Sequence, residues 1–501
     1  MEKIFIDGLY YQVNDENLTA ELVYSWESDY NFKEINIPAQ IVYKQKTYKV
    51  TSIGHSAFAN CESLTSITIP DSVRSIEKTA FEGCNSLKSI TVDIYNSVYD
   101  SRDNCNAIIE TASDRLYLGC YNTVIPNSVT SIGDKAFECC SSLRSITIPD
   151  SVKVIRPHAF YQCVSLSSIT IPNSVTDIGR EAFSTCVSLT SITIPKSVTE
   201  IGFGAFHYCR SLTSIMVESG NPIYDSRDNC QAIIRSSCNK LMQGCQNTVI
   251  PNSVTEIEWG AFTGCSALTS ITIPDSVTEM GEGVFEDCYS LTSVTISNSV
   301  GRIRHKTFLG CKSLRSITIP DGVTYIGWDV FEGCNSLTSI IVAPGNPIYD
   351  SRDNCQAIIV TASNELIAGC VNTVIPDSVT SIGENAFFGC ESLTSITIPN
   401  SVTEIGYSAF KCCSALTSIT IPDSVTEIGW GAFKGCSALS SITIPDSVTE
   451  IGWDAFSGND ALTAIDYHGT KEQWQQIKKD EEWNDSPNIQ VVRCTDGVLR
   501  L

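Results

Sequence analysis

The sequence predicts a solenoid, a stack of similar coils that share one continuous core, and three observations predict it. A chain of 501 residues is two to four times the usual size of one domain. One pattern recurs along most of it with a period of 23 residues. Each copy contains a short segment in which polar and β-branched apolar residues alternate, as expected for a half-buried strand.

The repeated pattern reads roughly Leu-Thr-Ser-Ile-Thr-Ile-Pro-Asp-Ser-Val-Thr-Glu-Ile-Gly-x-x-Ala-Phe-x-Gly-Cys. A period of 20 to 29 residues with this apolar pattern is typical of a leucine-rich solenoid. The predicted fold class is an α/β solenoid, mostly β with short helical or 3-10 turns, forming a right-handed superhelix with a parallel sheet on its concave face. Its fourteen units are marked by Phe58, Phe81, Phe137, Phe160, Phe183, Phe206, Phe262, Phe285, Phe308, Phe331, Phe387, Phe410, Phe433 and Phe456.

Each unit has its own predicted elements. In Ser66-Ile67-Thr68-Ile69 the isoleucines point inward, and Pro70 ends the strand because it has no N–H to donate. The Ala-Phe-x-x-Cys segment is predicted to form one helical turn, with cysteine as a small buried hydrophobe. Only the last unit replaces that cysteine, with Asn459, which predicts a terminal coil exposed to water.

Three longer steps interrupt the period. The spacing of the marker phenylalanine grows from 23 to 56 at inserts of 33 residues near 93–125, 218–250 and 343–375, each containing Tyr-Asp-Ser-Arg-Asp-Asn-Cys. Two apolar stretches separated by a polar break predict a hairpin-like coil in each insert. The predicted domains are an amino-terminal β-rich cap at 1–49, the solenoid at 50–465 and a carboxy-terminal cap at 466–501.

Charge and composition exclude several partners. The formal net charge is -23, which repels nucleic acid and anionic membranes. No apolar run is long enough to cross a bilayer, so no membrane insertion is expected. The first residues, Met1 to Gly8, do not resemble a leader, which predicts either a protein that stays in the cytoplasm or one from which a leader has been removed.

The 23 cysteines follow the repeat rather than a metal-site spacing, so neither a metal nor a cofactor is expected. Neighbouring strands are close enough for disulfides between stacked cysteines, but the interior rotamers would have to turn. The Asp-Ser-Arg-Asp-Asn segments offer oxygen ligands for calcium, although such runs more often form self-bonded turns. The serines have no evident base beside them, and no catalytic residues are predicted.

Outward strand positions form a nearly uniform hydroxyl surface. Thirteen of fourteen strands carry serine at the first outward position and eleven carry threonine at the second. The exceptions at the second position are Met216, Ile341 and Asp466. The first two lie in strands that lead into an insert, so we expect them to pack against it.

Variation concentrates in the two residues after Ile-Gly, where six units carry a large aromatic residue. Exposed rings provide contact area for a protein or a glycan at little entropic cost, while the alternative is that they cover neighbouring coils. The predicted ligand contacts are Phe203, Trp259, Trp328, Tyr407, Trp430 and Trp453. The last three occupy successive coils, about 5 Å apart.

The Ile-Pro, Ile-Gly and Ala-Phe-x-x-Cys words at constant spacing resemble the Treponema-type leucine-rich repeats of BspA-like bacterial proteins over residues 50 to 465. The resemblance implies a surface or secreted protein that adheres to host or matrix proteins. We expect a monomeric, non-enzymatic binding protein with a protein ligand. Glycan recognition on the same scaffold is the alternative, and an ice- or crystal-binding serine and threonine array is a remote one.

Overall fold

The computed structural model describes residues 2–24, 32–480, 482–484, 486 and 488–501. Residues 25–31 of the predicted amino-terminal cap and 481, 485 and 487 of the carboxy-terminal cap lie outside the described residues. The chain divides into two compact units. Unit 1 is Met1–Ser237 with Gln243–Asn247, and unit 2 is Cys238–Met242 with Thr248–Leu501. Each is a mostly-β stack of coils, which confirms the solenoid class.

The Ser-Ile-Thr-Ile segments form the first ladder of parallel strands. Ser66–Ile69 pairs in register with Ser89–Val92, so that isoleucine stacks on isoleucine inside and hydroxyls line the outside. In unit 1 the first-ladder strands are Glu34–Asn36, Ser66–Ile69, Ser89–Val92, Ser145–Thr147, Ser168–Thr170, Ser191–Ile194 and Ser214–Val217. In unit 2 they are Ser270–Thr272, Ser293–Thr295, Ser316–Ile319, Ser339–Val342, Ser418–Thr420, Ser441–Ile444, Ala464–Tyr467 and Val491–Cys494.

A second parallel ladder, which the sequence did not predict, is built from short segments that mostly end in the isoleucine of the Ile-Gly pair or its equivalent. Its strands are mostly two residues long, such as Glu427–Ile428 paired with Glu450–Ile451. In unit 1 they are Lys46–Ile53, Ser75–Ile76, Ser131–Ile132, Val154–Ile155, Asp177–Ile178 and Glu200–Ile201. In unit 2 they are Glu256–Ile257, Glu279–Met280, Arg302–Ile303, Tyr325–Ile326, Ser381–Ile382, Glu404–Ile405, Glu427–Ile428, Glu450–Ile451 and Lys478–Lys479.

The Ala-Phe-x-x-Cys segments are single turns rather than helices, with the N–H of Cys61 donating to the carbonyl of Phe58 at 3.2 Å, so the solenoid is mostly β, as predicted, and the α/β label does not fit it. The N–H of Phe58 donates to the carbonyl of Ala80 in the next coil at 2.8 Å, so it makes no intrahelical bond. Asn60 has a φ of 59°, which ends any right-handed turn. Within the described residues, the helical elements are the α-helix Lys471–Gln476 and three short 3-10 turns, Arg102–Asn104, Arg227–Asn229 and Arg352–Asn354.

Phenylalanine and cysteine form a shared interior stack. The rings of Phe137 and Phe160 are nearly parallel, with centroids 5.0 Å apart. The thiol of Cys186 donates to the carbonyl of Phe160 in the preceding coil at 3.2 Å, a contact that recurs in most regular coils. Burial raises the pKa of Cys186 to about 12, so the thiol stays protonated and can donate. All 23 cysteines are free, and the thiol serves as a hydrogen-bond donor as well as a small hydrophobe.

The first and third inserts each add an antiparallel hairpin to the stack, as their two apolar stretches predict. In the first insert Ala107–Glu110 pairs with Tyr99–Asp100 and Arg115–Gly119, and the last of these strands continues in parallel into the second ladder. The corresponding strands of the third insert are Tyr349–Asp350, Ile358–Val360 and Glu365–Ala368. Those of the second insert are Tyr224–Asp225, Ile233–Arg235 and Lys240–Gln243.

One buried or half-buried asparagine fastens each insert to the coil before it. The amide of Asn346 donates to the carbonyls of Pro320 and Val323, both at 2.8 Å. Its carbonyl oxygen accepts the N–H groups of Ile348 and Tyr349, both at 2.9 Å. Asn96 makes the same four bonds in the first insert, so all of its side-chain hydrogen-bonding capacity is used.

One further expectation is corrected by the structure, and another stays a prediction. Met216 and Ile341 are each 47% exposed, and Met216 borders a pocket with Ser226 and Gln231 of the second insert, so their packing against an insert remains a prediction. Asn459 is fully buried rather than exposed to water at the end of the stack. The hydroxyl of Ser486, from the carboxy-terminal segment, lies 3.5 Å from the Asn459 carbonyl, so this segment covers the last coil.

Both ends carry their own elements, while the exact limits of the predicted caps stay predictions. At the amino end, strands Glu2–Ile6, Leu9–Asn14, Thr19–Leu22 and Gln40–Tyr43 form a sheet with Lys46–Ile53. At the carboxy end, Thr470 begins the helix with a capping box. The ring of Trp483 then packs edge-on against Phe456 of the last coil, and Trp474 packs against Trp483. The strand Gly497–Arg500 closes this end as a hairpin with Val491–Cys494.

Candidate ligand-contact site

Three of the predicted contact residues form one aromatic stripe in unit 2, made of Tyr407, Trp430 and Trp453. Each follows a second-ladder strand, and the register of those strands places the three residues in successive coils. The rings of Tyr407 and Trp430 are 5.6 Å apart between centroids with an angle of 29° between their planes. The structure therefore joins these two rings into one continuous surface.

Two carboxylates of the carboxy-terminal segment hold the polar edges of the tryptophans. One oxygen of Asp480 accepts the indole N–H of Trp430 at 3.0 Å and the backbone N–H of Trp453 at 3.2 Å. Glu482 accepts the indole N–H of Trp453 at 3.1 Å. Tyr407, Trp430 and Trp453 nevertheless remain 50%, 54% and 44% exposed. The rings are fixed at their edges and open on their faces.

A cation lies at the end of the aromatic stripe. The ammonium of Lys434 is 5.6 Å from the ring centroid of Trp453 and forms an ion pair with Asp454. Burial opposes ionisation of Asp454, but its hydrogen bonds with Lys434 and Ser457 outweigh that effect and lower its pKa. This end of the stripe is therefore neutralised within the chain.

A row of glutamates runs beside the stripe. Glu404, Glu427 and Glu450 stand opposite one another in the second ladder, and we call them the acidic row. Like charges in register repel one another. Lys478 is the next residue in that register and pairs with Glu450 at 2.6 Å. Glu404 and Glu427 therefore leave a local negative charge that a basic ligand can relieve.

The other three predicted contacts do not belong to the stripe. Phe203 lies in unit 1, where the guanidinium of Arg180 is 5.8 Å from its ring and the ring of His207 is 5.1 Å away. In unit 2 the coil after Trp259 carries Glu282 at the equivalent position, so no aromatic residue follows Trp259 there. Trp328 is the most exposed of the six. The centroids of its ring and of the His305 ring are 4.0 Å apart, and the two ring planes are tilted by 43°.

The Asp-Ser-Arg-Asp-Asn segments are internally bonded turns. Arg102 makes two bonds to the carboxylate of Asp100, at 2.8 and 2.6 Å, and Thr111 donates to the same carboxylate. These carboxylate oxygens already accept hydrogen bonds from the chain's own donors. This favours a structural turn over a calcium-binding site. Across the part of the chain that the structure describes, no group of three or more His, Cys, Asp or Glu side chains is placed to hold a metal ion.

Sequence reasoning missed the carboxylates that orient the stripe. Asp480 and Glu482 lie about 30 residues or more from the rings they bind and outside the repeat period. The acidic run that contains them, next to Trp483, is a visible but unspecific signal.

No helix among the described residues has the length and apolar character needed to cross a bilayer.

Paired parallel ladders around a phenylalanine and cysteine stack define the class of protein, a β-solenoid of leucine-rich repeats. The chain belongs to the BspA-type leucine-rich-repeat family, whose model matches residues 23–111, 115–228, 232–352 and 368–478 with six copies. None of the curated proteins matches this chain.

Several solved structures are similar to this chain. A leucine-rich cell surface protein from Faecalibacterium prausnitzii A2-165 is 27% identical, with 96% of this chain and 98% of that chain covered and a TM-score of 0.41. A leucine-rich repeat protein from Bacteroides ovatus ATCC 8483 is 26% identical, with 98% and 100% covered and a TM-score of 0.34. The pneumococcal vaccine antigen PcpA is 19% identical, with 95% of both chains covered and a TM-score of 0.44.

Proposed function

We propose that this chain is a non-enzymatic adhesion protein that binds a protein or matrix ligand along its solenoid surface. The observation that carries the proposal is the aromatic stripe, whose ring edges are fixed by Asp480 and Glu482 while the faces stay open. Rings fixed before binding lose little entropy when a ligand covers them. A fixed aromatic surface of this kind is typical of the central part of a protein interface.

The ligand that suits this surface is basic. The acidic row lies beside the stripe, and the formal net charge of -23 attracts a positively charged partner over a distance. Electrostatic complementarity mainly accelerates association and selects the partner, while the rings supply contact area. We expect the affinity to fall as the salt concentration rises.

Other parts of this proposal concern the whole protein. We propose that it acts at the cell surface or outside the cell as a monomer, in keeping with its family. We also propose that the coils wind into a right-handed superhelix with the first ladder on the concave face. Phe203, Trp259 and Trp328 would then be secondary contacts outside the stripe.

Glycan recognition is the second candidate, and one observation favours it. The nearly parallel rings of Tyr407 and Trp430, 5.6 Å apart, form an apolar surface on which a sugar ring can lie. A neutral glycan would bind with little dependence on salt, in contrast to a basic protein. The salt dependence therefore separates the two candidates.

The test uses the full chain and a panel of immobilised extracellular-matrix proteins, with a glycan array in parallel. We expect saturable binding to a basic matrix protein that weakens at least tenfold in Tyr407→Ala/Trp430→Ala/Trp453→Ala. Tyr95→Ala, which removes an exposed ring elsewhere, is the matched control and should bind normally. Unchanged affinity of the triple variant would remove the stripe from the proposal.

A further inference from the structure

The third insert leaves a cavity in unit 2 because its coil contains no Ala-Phe turn. The turns on either side of the insert therefore become neighbours. The side-chain amide of Asn385 in the later turn donates to the carboxylate of Asp329 in the earlier one at 3.2 Å. Asn335 reaches Glu391 in the same way at 2.7 Å. Between these turns, above the strand Glu365–Ala368, lies a cavity of about 210 Å³ that we call the third-insert slot.

The slot is lined by apolar and by acidic residues, and we call the acidic ones its walls. The apolar ones include Ile367, Ala368 and Gly369, which we call its floor. The wall carboxyls belong to Asp329, Glu332, Glu365 and Glu384, and Trp328 stands at the edge. The structure gives Glu332, Glu365 and Glu384 no ion pair with any described residue. An acidic wall without a paired cation favours a positively charged occupant.

Nearby lysines offset this charge only in part. Burial and Asp329 raise the pKa of Glu332, while Lys411 and Lys306 act in the opposite direction without outweighing them. Lys411 lies with its ammonium 4.7 Å from the ring of Phe388. Burial also raises the pKa of Glu365, with a further contribution from Glu404. The surroundings therefore disfavour the charged form of two of the four carboxyls, those of Glu332 and Glu365.

The first insert shows what occupies the same place elsewhere in the chain. There Tyr117 stands where the third insert has Ile367, and its hydroxyl donates to the carbonyl of Ile76. Lys78 lies 5.7 Å from the Tyr117 ring and pairs with Asp134 at 3.0 Å. The guanidinium of Arg115 is also 5.7 Å from that ring. An aromatic ring and two cations thus complete the first-insert slot.

Three substitutions between the inserts remove those occupants. The positions of Lys78, Arg115 and Tyr117 are taken in the third insert by Trp328, Glu365 and Ile367. The position of Asp134 keeps a carboxylate, Glu384. The third-insert slot therefore retains the acid that binds the cation while lacking the cation and the large side chain.

We propose that the third-insert slot binds a primary ammonium group on an alkyl chain, as presented by a lysine side chain of the protein ligand. The carboxylates would pair with the ammonium, the apolar floor would contact the methylene groups, and the face of Trp328 would add a cation–π contact. The slot adjoins the aromatic stripe, because the N–H of Asn385 donates to the carbonyl of Tyr407 at 2.9 Å. This inference rests on the proposed function and assigns one side chain of its ligand.

The test is calorimetric titration of the full chain with Nα-acetyl-lysine N-methylamide, and with the norleucine analogue as the uncharged control of similar shape. We expect one site with a dissociation constant of about 1 mM, and binding of the norleucine probe at least tenfold weaker. Ile367→Tyr should abolish lysine binding by filling the slot. Glu384→Gln, which preserves the shape, should weaken it severalfold, and Tyr95→Ala should leave it unchanged.

Equal binding of the two probes, absence of binding to the parent protein, or full binding to Ile367→Tyr would overturn the proposal. The stripe variant Tyr407→Ala/Trp430→Ala/Trp453→Ala separates this inference from the proposed function. If the chain binds a matrix protein through the stripe but not the lysine probe, the slot inference alone fails. If it binds the probe at the slot but no protein, the proposed function fails.

Discussion

The first and third inserts share one fold and differ in what occupies the space above the last strand. In the first insert, Tyr117 fills that space and Lys78 pairs with Asp134. In the third insert, Ile367 leaves a cavity of about 210 Å³ bordered by carboxylates that form no ion pair with a described residue. A repeat protein can thus keep its scaffold constant and convert one copy of a structural position into a pocket, with Trp328, Glu365 and Ile367 in place of Lys78, Arg115 and Tyr117 among the differences.

The shared scaffold predicts the largest effect. Asn96→Ala and Asn346→Ala should each lower the free energy of unfolding by about 2 to 4 kcal/mol, because each leaves two carbonyls and two N–H groups without their partner, more deeply buried around Asn96 than around Asn346. Urea denaturation measures the loss, and the exposed Asn372→Ala is the control. A large loss at one insert only would show that the two scaffolds are not equivalent.

The occupants of the two slots predict the next effect. Tyr117→Ile should cost about 2 to 3 kcal/mol of unfolding free energy, because it opens a cavity and leaves Lys78 and Arg115 without the ring beside them. Ile367→Tyr should be neutral or stabilising, since the added ring enters space that is already empty. Denaturation of both variants measures these effects. A destabilised Ile367→Tyr would mean that the third-insert slot is not open.

The cysteine stack predicts a smaller difference between a regular coil and the coil after an insert. Cys413 is fully buried and donates to the carbonyl of Phe387 at 3.2 Å, whereas Cys390 borders the slot and lies 3.9 Å from the carbonyl of Gly369. Cys413→Ala should therefore cost about 1 kcal/mol and Cys390→Ala less than half of that. Thermal unfolding should show the larger shift for Cys413→Ala, and the reverse order would contradict the geometry.

The carboxyls of the two slots predict opposite and still smaller responses to pH. Burial opposes ionisation of Asp134, but Lys78 outweighs it and lowers its pKa, so this carboxylate stabilises the fold at neutral pH and loses its effect as the pH falls through the lowered pKa. Asp134→Asn should lower the melting temperature at pH 7 more than at acidic pH.

In the third slot, burial raises the pKa of Glu332 and Glu365, with contributions from Asp329 and Glu404 and a partial offset of Glu332 by Lys306 and Lys411. Their charge costs stability above the raised pKa, and the cost disappears as the pH falls towards the ordinary glutamate value. Glu332→Gln/Glu365→Gln should therefore raise the melting temperature at pH 7. The gain in the free energy of unfolding should be less than about 1 kcal/mol, because both groups are partly exposed. The same sign for both slots would contradict the comparison.

The sequence predicts the repeat and its interior well because those positions recur in every coil. The marker phenylalanines and most of the Ser-Ile-Thr-Ile isoleucines lie inside as expected. The second ladder escaped prediction because two residues, such as Glu427–Ile428, are too few to show a period. The spacing of Phe58 and Cys61 suits a helix, but no helix forms, because the N–H of Phe58 donates to the next coil and the local bonds, such as that from Cys61 to the carbonyl of Phe58, close only a single turn.

The candidate site was only partly visible for a related reason. The aromatic residues stand out because they replace variable positions of the repeat. What orients them, Asp480 and Glu482, lies outside the repeat and reaches them only through the folded carboxy-terminal segment. The third-insert slot depends on which turns meet across an insert, and the exchange of Tyr117 for Ile367 between two apolar positions gives no sign of a cavity. Both features arise from contacts between coils rather than from the pattern within one coil.

A crystal structure of the full chain soaked with Nα-acetyl-lysine N-methylamide tests the contrast between the two inserts most directly. We expect the ammonium to lie against Glu384 above Ile367, and the space occupied by Tyr117 in the first insert to admit no probe. A third-insert slot closed by its own side chains, or a probe bound equally at both inserts, would contradict it.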